Sequence, residues 1–155
     1  MTPAIRAAER AGIAFEVLEY AHSRGAPSYG LEAAAALGVP AARLFKTLIV
    51  QADANRLATA LVPVSATLDL KAMADALGAR RVALAAPESA ERATGYVVGG
   101  ISPLGQRRRL TTVIDRSVAG VARVYVSAGR RGLELALAPD DLIRLCGASL
   151  APIAR

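Results

Sequence analysis

Two apolar runs separated by a short polar turn constrain the fold of this chain more than any other feature. Residues 44–50 and 56–62 are predominantly apolar, and Asp53-Ala54-Asn55 lies between them. Apolar runs of this length joined by turn-forming residues predict an antiparallel β-hairpin. Both runs are far too short to span a bilayer. We therefore expect a hairpin at the centre of a sheet and no membrane anchor.

The rest of the pattern mixes helices and strands without regular alternation. Thr2 before Pro3 predicts a helix start, and Gly12 predicts its end. A chain of 155 residues has room for one hydrophobic core. We therefore expect a single α+β domain over residues 1–155, with a mixed, curled, barrel-like β-sheet flanked by helices. The predicted helices are 3–11, 31–37, 69–77, 87–92 and one that begins at Pro139 and ends near Gly147; the predicted strands are 15–20, 44–50, 56–62, 82–85, 111–115, 124–127 and 133–138; a loop is predicted at 22–28, where Gly25 and Pro27 disfavour regular structure.

The charge of the chain favours an anionic partner. Nineteen lysine and arginine residues against thirteen acidic ones give a net charge of +6, which attracts polyanions or anionic small molecules. Lys46 and Lys71 are the two lysines, and the other cations are arginines, whose planar guanidinium suits bidentate phosphate contact. An arginine-rich genome would give the same bias, so composition does not choose between these explanations.

Neither a disulfide nor a secretory leader is indicated. Cys146 is the single cysteine, so it has no partner within the chain. The first residues lack the basic-then-apolar run of a signal peptide. These features predict a cytoplasmic protein.

A glycine-rich segment, residues 94–106, is the most unusual stretch of the sequence. It contains four glycines and a proline. Glycine allows positive φ and close backbone approach, so consecutive amides can converge on an oxyanion or a phosphate; an ordinary connector is the alternative. The segment lacks the lysine and hydroxyl residue of a P-loop and the second glycine of a nucleophile elbow. Neither of those two sites is therefore expected.

Lys46 interrupts the first strand of the predicted hairpin. Strand alternation places it on the same face as Leu44, Leu48 and Val50. An unpaired buried ammonium is costly, so Lys46 must either reach water from the edge of the sheet or point into a polar pocket. Periodicity alone favours the first of these two positions.

The other candidate chemical groups do not form a recognisable site. His22 and Cys146 are single residues far apart in the chain, which offers neither a metal cage nor an activated nucleophile. Asp140 and Asp141 follow Pro139 at a predicted helix start, where carboxylates complement the helix dipole. No metal site and no cofactor are expected.

Two arginine clusters flank turns near the glycine-rich segment. Arg107, Arg108 and Arg109 follow it directly, and Arg130 and Arg131 lie in a later turn. They predict an electropositive rim suited to RNA phosphates, with solvated surface charge as the alternative. Tyr20 and Tyr29 are candidates for stacking on a base, although each could instead pack at the edge of the core.

Taken together, several short motifs resemble the YbaK-type family of trans-editing deacylases, the Cys-tRNA(Pro) deacylases, and more loosely the editing domain of some prolyl-tRNA synthetases. The resemblance runs along the whole chain, and the Gly-Gly-Ile-Ser-Pro-Leu-Gly run is its most specific part. The motifs are Met1-Thr2-Pro3-Ala4, Lys46-Thr47-Leu48, Leu68-Asp69-Leu70-Lys71, Ala76-Leu77-Gly78-Ala79, Thr94-Gly95-Tyr96, residues 99–106, Tyr125-Val126-Ser127 and Arg131-Gly132-Leu133.

The resemblance implies a site around Lys46, the first residue of Lys-Thr-Leu. In this family that lysine is the key residue of the site and contacts the 3′ end of an aminoacyl-tRNA. The family often has phenylalanine at the position of Tyr29 and aspartate near Glu134. The implied catalytic residues are Lys46, Gly99, Gly100, Ile101 and Ser102; the implied substrate-binding residues are Tyr20, Tyr29, Thr47, Ser127, Gly129 and Glu134.

The resemblance also implies a reaction that needs no protein nucleophile. In the chemistry proposed for this family, the cysteine thiol of the substrate attacks its own ester carbonyl and leaves as a thiolactone. The implied partner is an aminoacyl-tRNA acceptor end, with prolyl-tRNA synthetase as a candidate protein partner and no DNA or membrane. Two alternatives stay open: a hydrolase of another ester such as alanyl-tRNA(Pro), and an RNA-binding module without catalysis.

Overall fold

A computed structural model describes residues 1–23 and 28–155 of the chain. The predicted loop at 22–28 falls partly outside these residues, including Gly25 and Pro27. The described part contains five helices and eight strands, in an α+β arrangement. In chain order they are α1 Pro3–Ala11, β1 Phe15–Glu19, α2 Tyr29–Leu37, β2 Phe45–Ala52, β3 Arg56–Pro63, α3 Leu70–Leu77, β4 Val82–Leu84, α4 Pro87–Thr94, β5 Thr111–Asp115, β6 Val124–Arg130, β7 Leu133–Leu137, α5 Pro139–Cys146 and β8 Ser149–Ala151.

Every helix boundary follows from local chemistry. The side chains of Thr2, Ser28 and Asp69 cap α1, α2 and α3 by accepting hydrogen bonds from backbone amides. Helices α4 and α5 begin instead with a proline, whose missing N–H costs nothing in the first turn. All five end before a glycine in the left-handed conformation. These contacts confirm the predicted helices to within a few residues.

The predicted hairpin lies in a five-stranded mixed sheet. Strand order is β4-β2-β3-β5-β8, with β3 at the centre. Strands β2 and β3 pair antiparallel over their full length, from Phe45 opposite Pro63 to Ala52 opposite Arg56. Strands β3, β5 and β8 run parallel to one another. The central position of the hairpin is thus confirmed.

A second, three-stranded antiparallel sheet has the order β1-β7-β6. A bulge interrupts the β6–β7 pairing between Ser127 and Arg130. One isolated parallel bridge, Leu44 with Tyr125, joins the two sheets. The sequence predicted one curled, barrel-like sheet; the described strands form two sheets instead, and neither of these closes into a barrel.

Three apolar clusters hold the layers together. The largest lies between the two sheets and is covered by the small residues of α1 and α4 and by α5. Helix α3 packs on the opposite face of the five-stranded sheet, with Met73 fully buried. Helix α2 packs with Ala33 and Ala34 against Leu44 and Val64. Small alanine side chains of α1, α2 and α4 thus form much of the helix surface that packs on the sheets.

Two elements were not predicted from the sequence. Strand β8 has three residues and pairs with β5, and a 3₁₀ helix at Arg116–Gly120 follows β5. Both depend on Asp115, whose carboxylate accepts hydrogen bonds from the amides of Ser117, Ile153 and Ala154. Tertiary pairing, rather than a local signal, thus orders the C-terminal segment. No helix in residues 1–23 and 28–155 has the length and apolarity needed to cross a membrane.

Candidate active site

A cavity of about 370 Å³ opens between β2, α2, α4 and the glycine-rich loop. Strand β2 explains its position, because β4 pairs with β2 only at residues 50–52. The edge of β2 before that point therefore borders the cavity. The lining residues are Tyr20, Ser28, Tyr29, Gly30, Leu44, Phe45, Lys46, Thr47, Leu48, Ile49, Leu84, Ala85, Pro87, Ala90, Val98, Gly99, Ile101, Ser127 and Glu134.

Lys46 lines this cavity from the open edge of β2. Burial lowers the pKa of its ammonium group, because a low-dielectric environment disfavours the charged form. Within the described residues Lys46 makes no ion pair at 4 Å or less. The cavity therefore contains a half-buried cation that no acidic side chain of the described residues neutralises.

Two buried polar atoms of the cavity wall have no hydrogen-bond partner within the described residues: Thr47 Oγ1 and Glu134 Oε2. Buried polar atoms are nearly always hydrogen-bonded, so such orphans call for an explanation. Both residues line the same cavity. A polar group on a bound ligand would satisfy them.

Glu134 is the ionisable residue of the two, and it is deeply buried. Its side chain lies on β7 opposite Ser127 of β6 and is only 5% exposed. Burial raises the pKa of its carboxyl group to about 8. The carboxyl is therefore largely protonated at neutral pH and offers both a donor and an acceptor.

Tyr20, at the end of β1, faces the same corner of the cavity. Its amide donates to the carbonyl of Gly132 over 3.0 Å. Burial raises the pKa of the Tyr20 phenol, and the nearby carboxyl of Glu134 adds to the effect. Tyr20 therefore stays protonated and contributes a hydroxyl to the polar corner.

The glycine-rich loop forms the opposite wall, held in place by close backbone contacts. Gly99 has φ +98°, and a Cβ there would lie 2.8 Å from the Tyr29 ring. A Cβ at Gly100 would lie 2.6 Å from the Arg130 Cα. Only glycine fits at these two positions, because a larger residue would meet a side chain or backbone atoms. Tyr96 anchors the loop from behind, its hydroxyl donating to the Leu104 carbonyl.

The four predicted loop residues do not all face the cavity. Gly99 and Ile101 line it, whereas Gly100 and Ser102 do not. The Gly100 amide donates to the Val97 carbonyl over 2.9 Å, and the fully buried Ser102 accepts from the Leu104 amide. In the described part of the chain the amides of Gly99 and Ile101 have no acceptor, so these two can serve a ligand.

Tyr29 begins α2 at the mouth of the cavity and is 42% exposed. The guanidinium of Arg131 lies 4.2 Å from the centre of its ring. Arg131 also binds Glu32 Oε1 at 3.0 Å and donates to the Ser23 carbonyl. Glu32 in turn accepts from the Ser23 amide. Arg131 thus holds Tyr29 in place rather than projecting freely into solvent.

The other predicted binding residues take different positions. Ser127 lines the cavity, and its hydroxyl accepts from the amide of Gly129 over 3.2 Å. Gly129, with φ +112°, belongs to the bulge and packs against Thr2 and Tyr96 outside the cavity. Gly129 therefore shapes the turn that carries Ser127 and does not line the cavity.

The arginine triplet lies at a different cavity. Arg108 and Arg109 line a space of about 230 Å³ with Cys146, and it shares no lining residue with the first cavity. The amides of Arg107 and Arg108 bond to the C-terminal end of α4. Arg130 is exposed behind Gly100. The structure therefore does not bring the triplet to the cavity that contains Lys46.

Cys146 lies outside the cavity that contains Lys46, in a buried position of its own. The thiol of Cys146 is buried, donates to the Pro103 carbonyl over 3.7 Å, and has its pKa raised to about 12 by burial. In residues 1–23 and 28–155, no three histidine, cysteine or acidic residues lie close enough to hold a metal ion.

Sequence reasoning missed the apolar half of the cavity. Leu84 is the last residue of β4 and Ala85 follows it, Pro87 and Ala90 belong to α4, and Val98 precedes the glycine pair. Leu84 is 60% exposed and Val98 46% exposed. Exposed apolar side chains at a cavity mouth are the one signal that could have marked them, but exposure is not visible in a sequence.

Comparison with known proteins agrees with this arrangement. Residues 26–145 match the model of the aminoacyl-tRNA editing domain. A protein of Enterococcus faecalis, EbsC, provisionally named a Cys-tRNA(Pro)/Cys-tRNA(Cys) deacylase, is 32% identical over 152 residues, 98% of this chain and 92% of EbsC.

More distant similarities point the same way. A proline–tRNA ligase of Nitratidesulfovibrio vulgaris is 36% identical over 104 residues, which is 67% of this chain and 18% of the ligase. A solved structure, provisionally described as a trans-editing enzyme for prolyl-tRNA synthetase, superposes with a TM-score of 0.86 at 26% identity and covers 100% of this chain and 99% of the other. On its sequence match, its fold and its cavity, this chain belongs to the aminoacyl-tRNA editing domain family of deacylases.

Proposed function

We propose that this protein removes mischarged cysteine from tRNA(Pro), and from tRNA(Cys) where it meets it. One observation carries the proposal: the cavity combines a lysine, two unpartnered buried polar atoms and apolar walls, and its described lining contains no activated nucleophile. A site of this kind can orient a substrate that supplies its own nucleophile. The provisional name of EbsC, a relative over nearly the full chain, supports the same substrate.

In the proposed reaction the cysteine thiol of the substrate attacks its own ester carbonyl. The new C–S bond closes a thiolactone ring, the C–O bond to the terminal ribose breaks, and the thiol proton passes to the ribose oxygen. The products are a cyclic thiolactone and free tRNA. The protein lowers the barrier by holding sulfur and carbonyl carbon in a near-attack arrangement, which contributes several kcal/mol.

The geometry suggests a role for each wall. The free amides of Gly99 and Ile101 would stabilise the developing oxyanion, with Gly100 and Ser102 fixing the loop behind them. Thr47 Oγ1 and Glu134 Oε2 would bind the amino group of the substrate, since both lack partners. Lys46 would contact the terminal nucleotide, with Tyr29 and Tyr20 enclosing it.

Selectivity would follow from chemistry more than from fit. A pocket gains only about 1–3 kcal/mol from one small group, so size alone cannot separate similar amino acids well. A prolyl ester has no side-chain nucleophile and would survive in the same cavity. The proposal therefore implies weak discrimination between tRNAs that carry cysteine, unless a prolyl-tRNA synthetase delivers the substrate.

Phosphate contact by the predicted arginines stays a prediction. Arg130 lies closest to the glycine loop and could reach the terminal nucleotides. Arg131 is engaged with Glu32 and Tyr29, so its contribution to RNA binding would be indirect. Arg108 and Arg109 line a separate cavity, and Arg107 lines neither cavity, so these three arginines are not placed at the cavity that contains Lys46.

The decisive test is time-resolved deacylation of cysteinyl-, alanyl- and prolyl-tRNA(Pro) by the wild-type protein. We expect rapid loss of cysteine alone. Clearance of alanine would keep the protein in its family but assign it a different substrate. No turnover of any ester, with tRNA binding retained, would favour the RNA-binding module.

Product analysis separates the two mechanisms of ester cleavage. Mass spectrometry of a rapidly quenched reaction in H₂¹⁸O should detect thiolactone, and free cysteine formed from it later. Direct hydrolysis would give ¹⁸O-labelled cysteine at once, without a thiolactone phase. A cysteine analogue with its thiol methylated should resist the enzyme only if the thiol attacks.

A further inference from the structure

A basic groove adjoins the candidate active site on its β4 side. This groove, with a volume of about 640 Å³, lies between α3, β4 and the turn before β4. It meets the first cavity at Leu84, which lines both. Its lining residues are Gln51, Asp53, Leu70, Lys71, Ala74, Arg80, Arg81, Val82, Ala83 and Leu84.

The cations of this groove are free to bind a ligand. Lys71, Arg80 and Arg81 are exposed, and none of them forms an ion pair within the described residues. Asp53 is the single acidic residue in the lining. The groove therefore carries an excess of two positive charges, in the immediate neighbourhood of the cavity.

The turn that presents the two arginines is fixed by its backbone. Asp53 Oδ1 accepts hydrogen bonds from the amides of Arg80 and Arg81, over 3.0 and 3.1 Å. The Asp53 amide donates to the Arg81 carbonyl over 2.8 Å. Asp53 Oδ1 is thus used by backbone groups, and within the described residues neither guanidinium forms an ion pair with Asp53. Such a preorganised turn loses little entropy on binding.

The groove also offers apolar contact. Leu84 is 60% exposed and Leu70 39% exposed, and both lie among the three cations. Alternation of cations with exposed apolar side chains suits a strand of RNA, whose phosphates need positive charge and whose riboses and bases need apolar contact. An acidic protein surface would use the cations but not the leucines.

We propose that the RNA backbone leaves the cavity over Leu84 and follows this groove, with its phosphates on Lys71, Arg80 and Arg81. The inference rests on the proposed function, because the aminoacyl end must lie in the cavity for the strand to leave in this direction. It assigns the main phosphate contacts to a surface different from the Arg107–Arg109 triplet. Two residues of that triplet, Arg108 and Arg109, border a cavity that shares no lining residue with the candidate site, and Arg107 lines neither cavity.

Two charge-matched triple variants test the assignment. The groove variant carries Lys71→Gln, Arg80→Gln and Arg81→Gln, and the comparison variant carries Gln at positions 107, 108 and 109. The three groove side chains form no ion pair and are exposed, so the groove variant should fold. Circular dichroism and urea midpoints check both variants. The probe is an acceptor-stem RNA minihelix that ends in CCA and carries no amino acid. Its binding is measured between about 50 and 200 mM salt.

The proposal is tested by the slope of log K against log salt concentration, where K is the association constant for the minihelix. Each phosphate contact contributes about 0.7–0.9 to the magnitude of the slope. We therefore expect that magnitude to fall by about 2–3 in the groove variant and by much less in the comparison variant. An unchanged slope in the groove variant would overturn the proposal. Equal losses in the two variants would also overturn it, because they would report total charge and not a path. Loss of binding to a synthetase but not to RNA would assign the groove to a protein.

A short substrate separates this inference from the proposed function. A cysteinyl ester of adenosine lacks the strand that would occupy the groove. The groove variant should cleave this ester at the wild-type rate while its kcat/KM for full-length cysteinyl-tRNA falls. If the wild-type protein cleaves neither substrate, the proposed function fails, and the minihelix slopes still decide whether RNA lies in the groove.

Discussion

Glu134 combines deep burial, an unpartnered oxygen and a raised pKa in one side chain. A folding protein gains nothing from this arrangement, since the ionised form is disfavoured in the folded state. Residues that cost stability and line a cavity are typical of functional sites. A contribution to stability therefore does not explain why a glutamate occupies position 134.

The raised pKa of Glu134 predicts that this residue lowers the free energy of unfolding at alkaline pH more than at acidic pH. The folded-state pKa of about 8 lies above the ordinary value of 4.5, so the folded protein binds more protons between these values and its stability falls as pH rises through them. Glu134→Gln should raise the free energy of unfolding by about 1–3 kcal/mol at pH 8 and much less at pH 5. Urea unfolding at both pH values measures this difference; an equal effect at pH 5 and pH 8 would contradict it.

Arg131 is predicted to act on the substrate through Tyr29. Arg131→Lys keeps the charge but loses the planar group that stacks on the ring and binds Glu32. We expect KM for cysteinyl-tRNA to rise several-fold with a smaller change in kcat. Steady-state kinetics measures both constants. A fall in kcat with an unchanged KM would contradict a role of Arg131 in binding the substrate through Tyr29.

Individual site residues were only partly predictable. Lys46 could be identified as a candidate from the sequence because a cation interrupts an apolar strand. Periodicity could not decide whether its side chain reaches solvent or points into a pocket. Tyr20 was a candidate as an aromatic residue beside a predicted loop, whereas Glu134 was found only through the family resemblance, since nothing local marks it. Leu84 and Val98 carry no chemical signal, and their place at the cavity mouth depends on tertiary packing.

At the scale of elements, the glycine-rich loop depends on its fit against the β6–β7 turn. A Cβ at Gly100 would lie 2.6 Å from the Arg130 Cα and 2.8 Å from the Arg131 amide nitrogen. Gly100→Ala should therefore cost about 1–3 kcal/mol of stability and reduce deacylation at temperatures where the protein stays folded. Gly120→Ala is the matched control, because nothing lies within 4 Å of a Cβ there. Thermal melts and initial rates compare the variants, and equal behaviour of both would refute the role of the close contact.

The C-terminal segment depends on one buried carboxylate. Burial by itself raises the pKa of Asp115, but hydrogen bonds from Ser117, Ala154 and Ile153 outweigh it and lower the pKa overall. The resulting stabilisation is present above the ordinary pKa of 3.8 and is lost as pH falls through the lower, folded-state value. Asp115→Ala should cost about 2–3 kcal/mol at neutral pH. Urea unfolding at pH 7 and pH 3 tests this, and a cost that persists undiminished in acid would contradict it.

Elements with local signals were predicted well, and pairing between distant strands was not. Thr2 and terminal glycines marked helix boundaries directly in the sequence, whereas the caps Ser28 and Asp69 were placed in a predicted loop and inside a predicted helix. Strand β8 has three residues and exists because β5 and Asp115 bind it. The division into two sheets depends on the β1–β7 pairing, which joins residues more than 100 positions apart.

At the scale of the whole molecule, the two sheets, α2 and α4 bring the polar groups of the cavity together from distant parts of the chain. Lys46 and Thr47 come from β2, Gly99 and Ile101 from the loop after α4, and Ser127 and Glu134 from the smaller sheet. Ser28 and Tyr29 come from the start of α2, and Tyr20 directly follows β1. The bridge between Leu44 and Tyr125 fixes the two sheets next to this cavity. We propose that ester cleavage takes place in this cavity and depends on placing the acceptor end.

Single-turnover deacylation of cysteinyl-tRNA(Pro) by the wild-type protein and by Lys46→Ala tests that claim most directly. Arg6→Ala, an exposed cation on α1 outside the cavity lining, is the control. We predict a loss of about 100-fold or more in the Lys46 variant, because misplacement of the reacting groups by about 1 Å costs that much, and no loss in the control. A Lys46→Ala protein that is folded and cleaves the ester at the wild-type rate would contradict the assignment of this cavity as the active site.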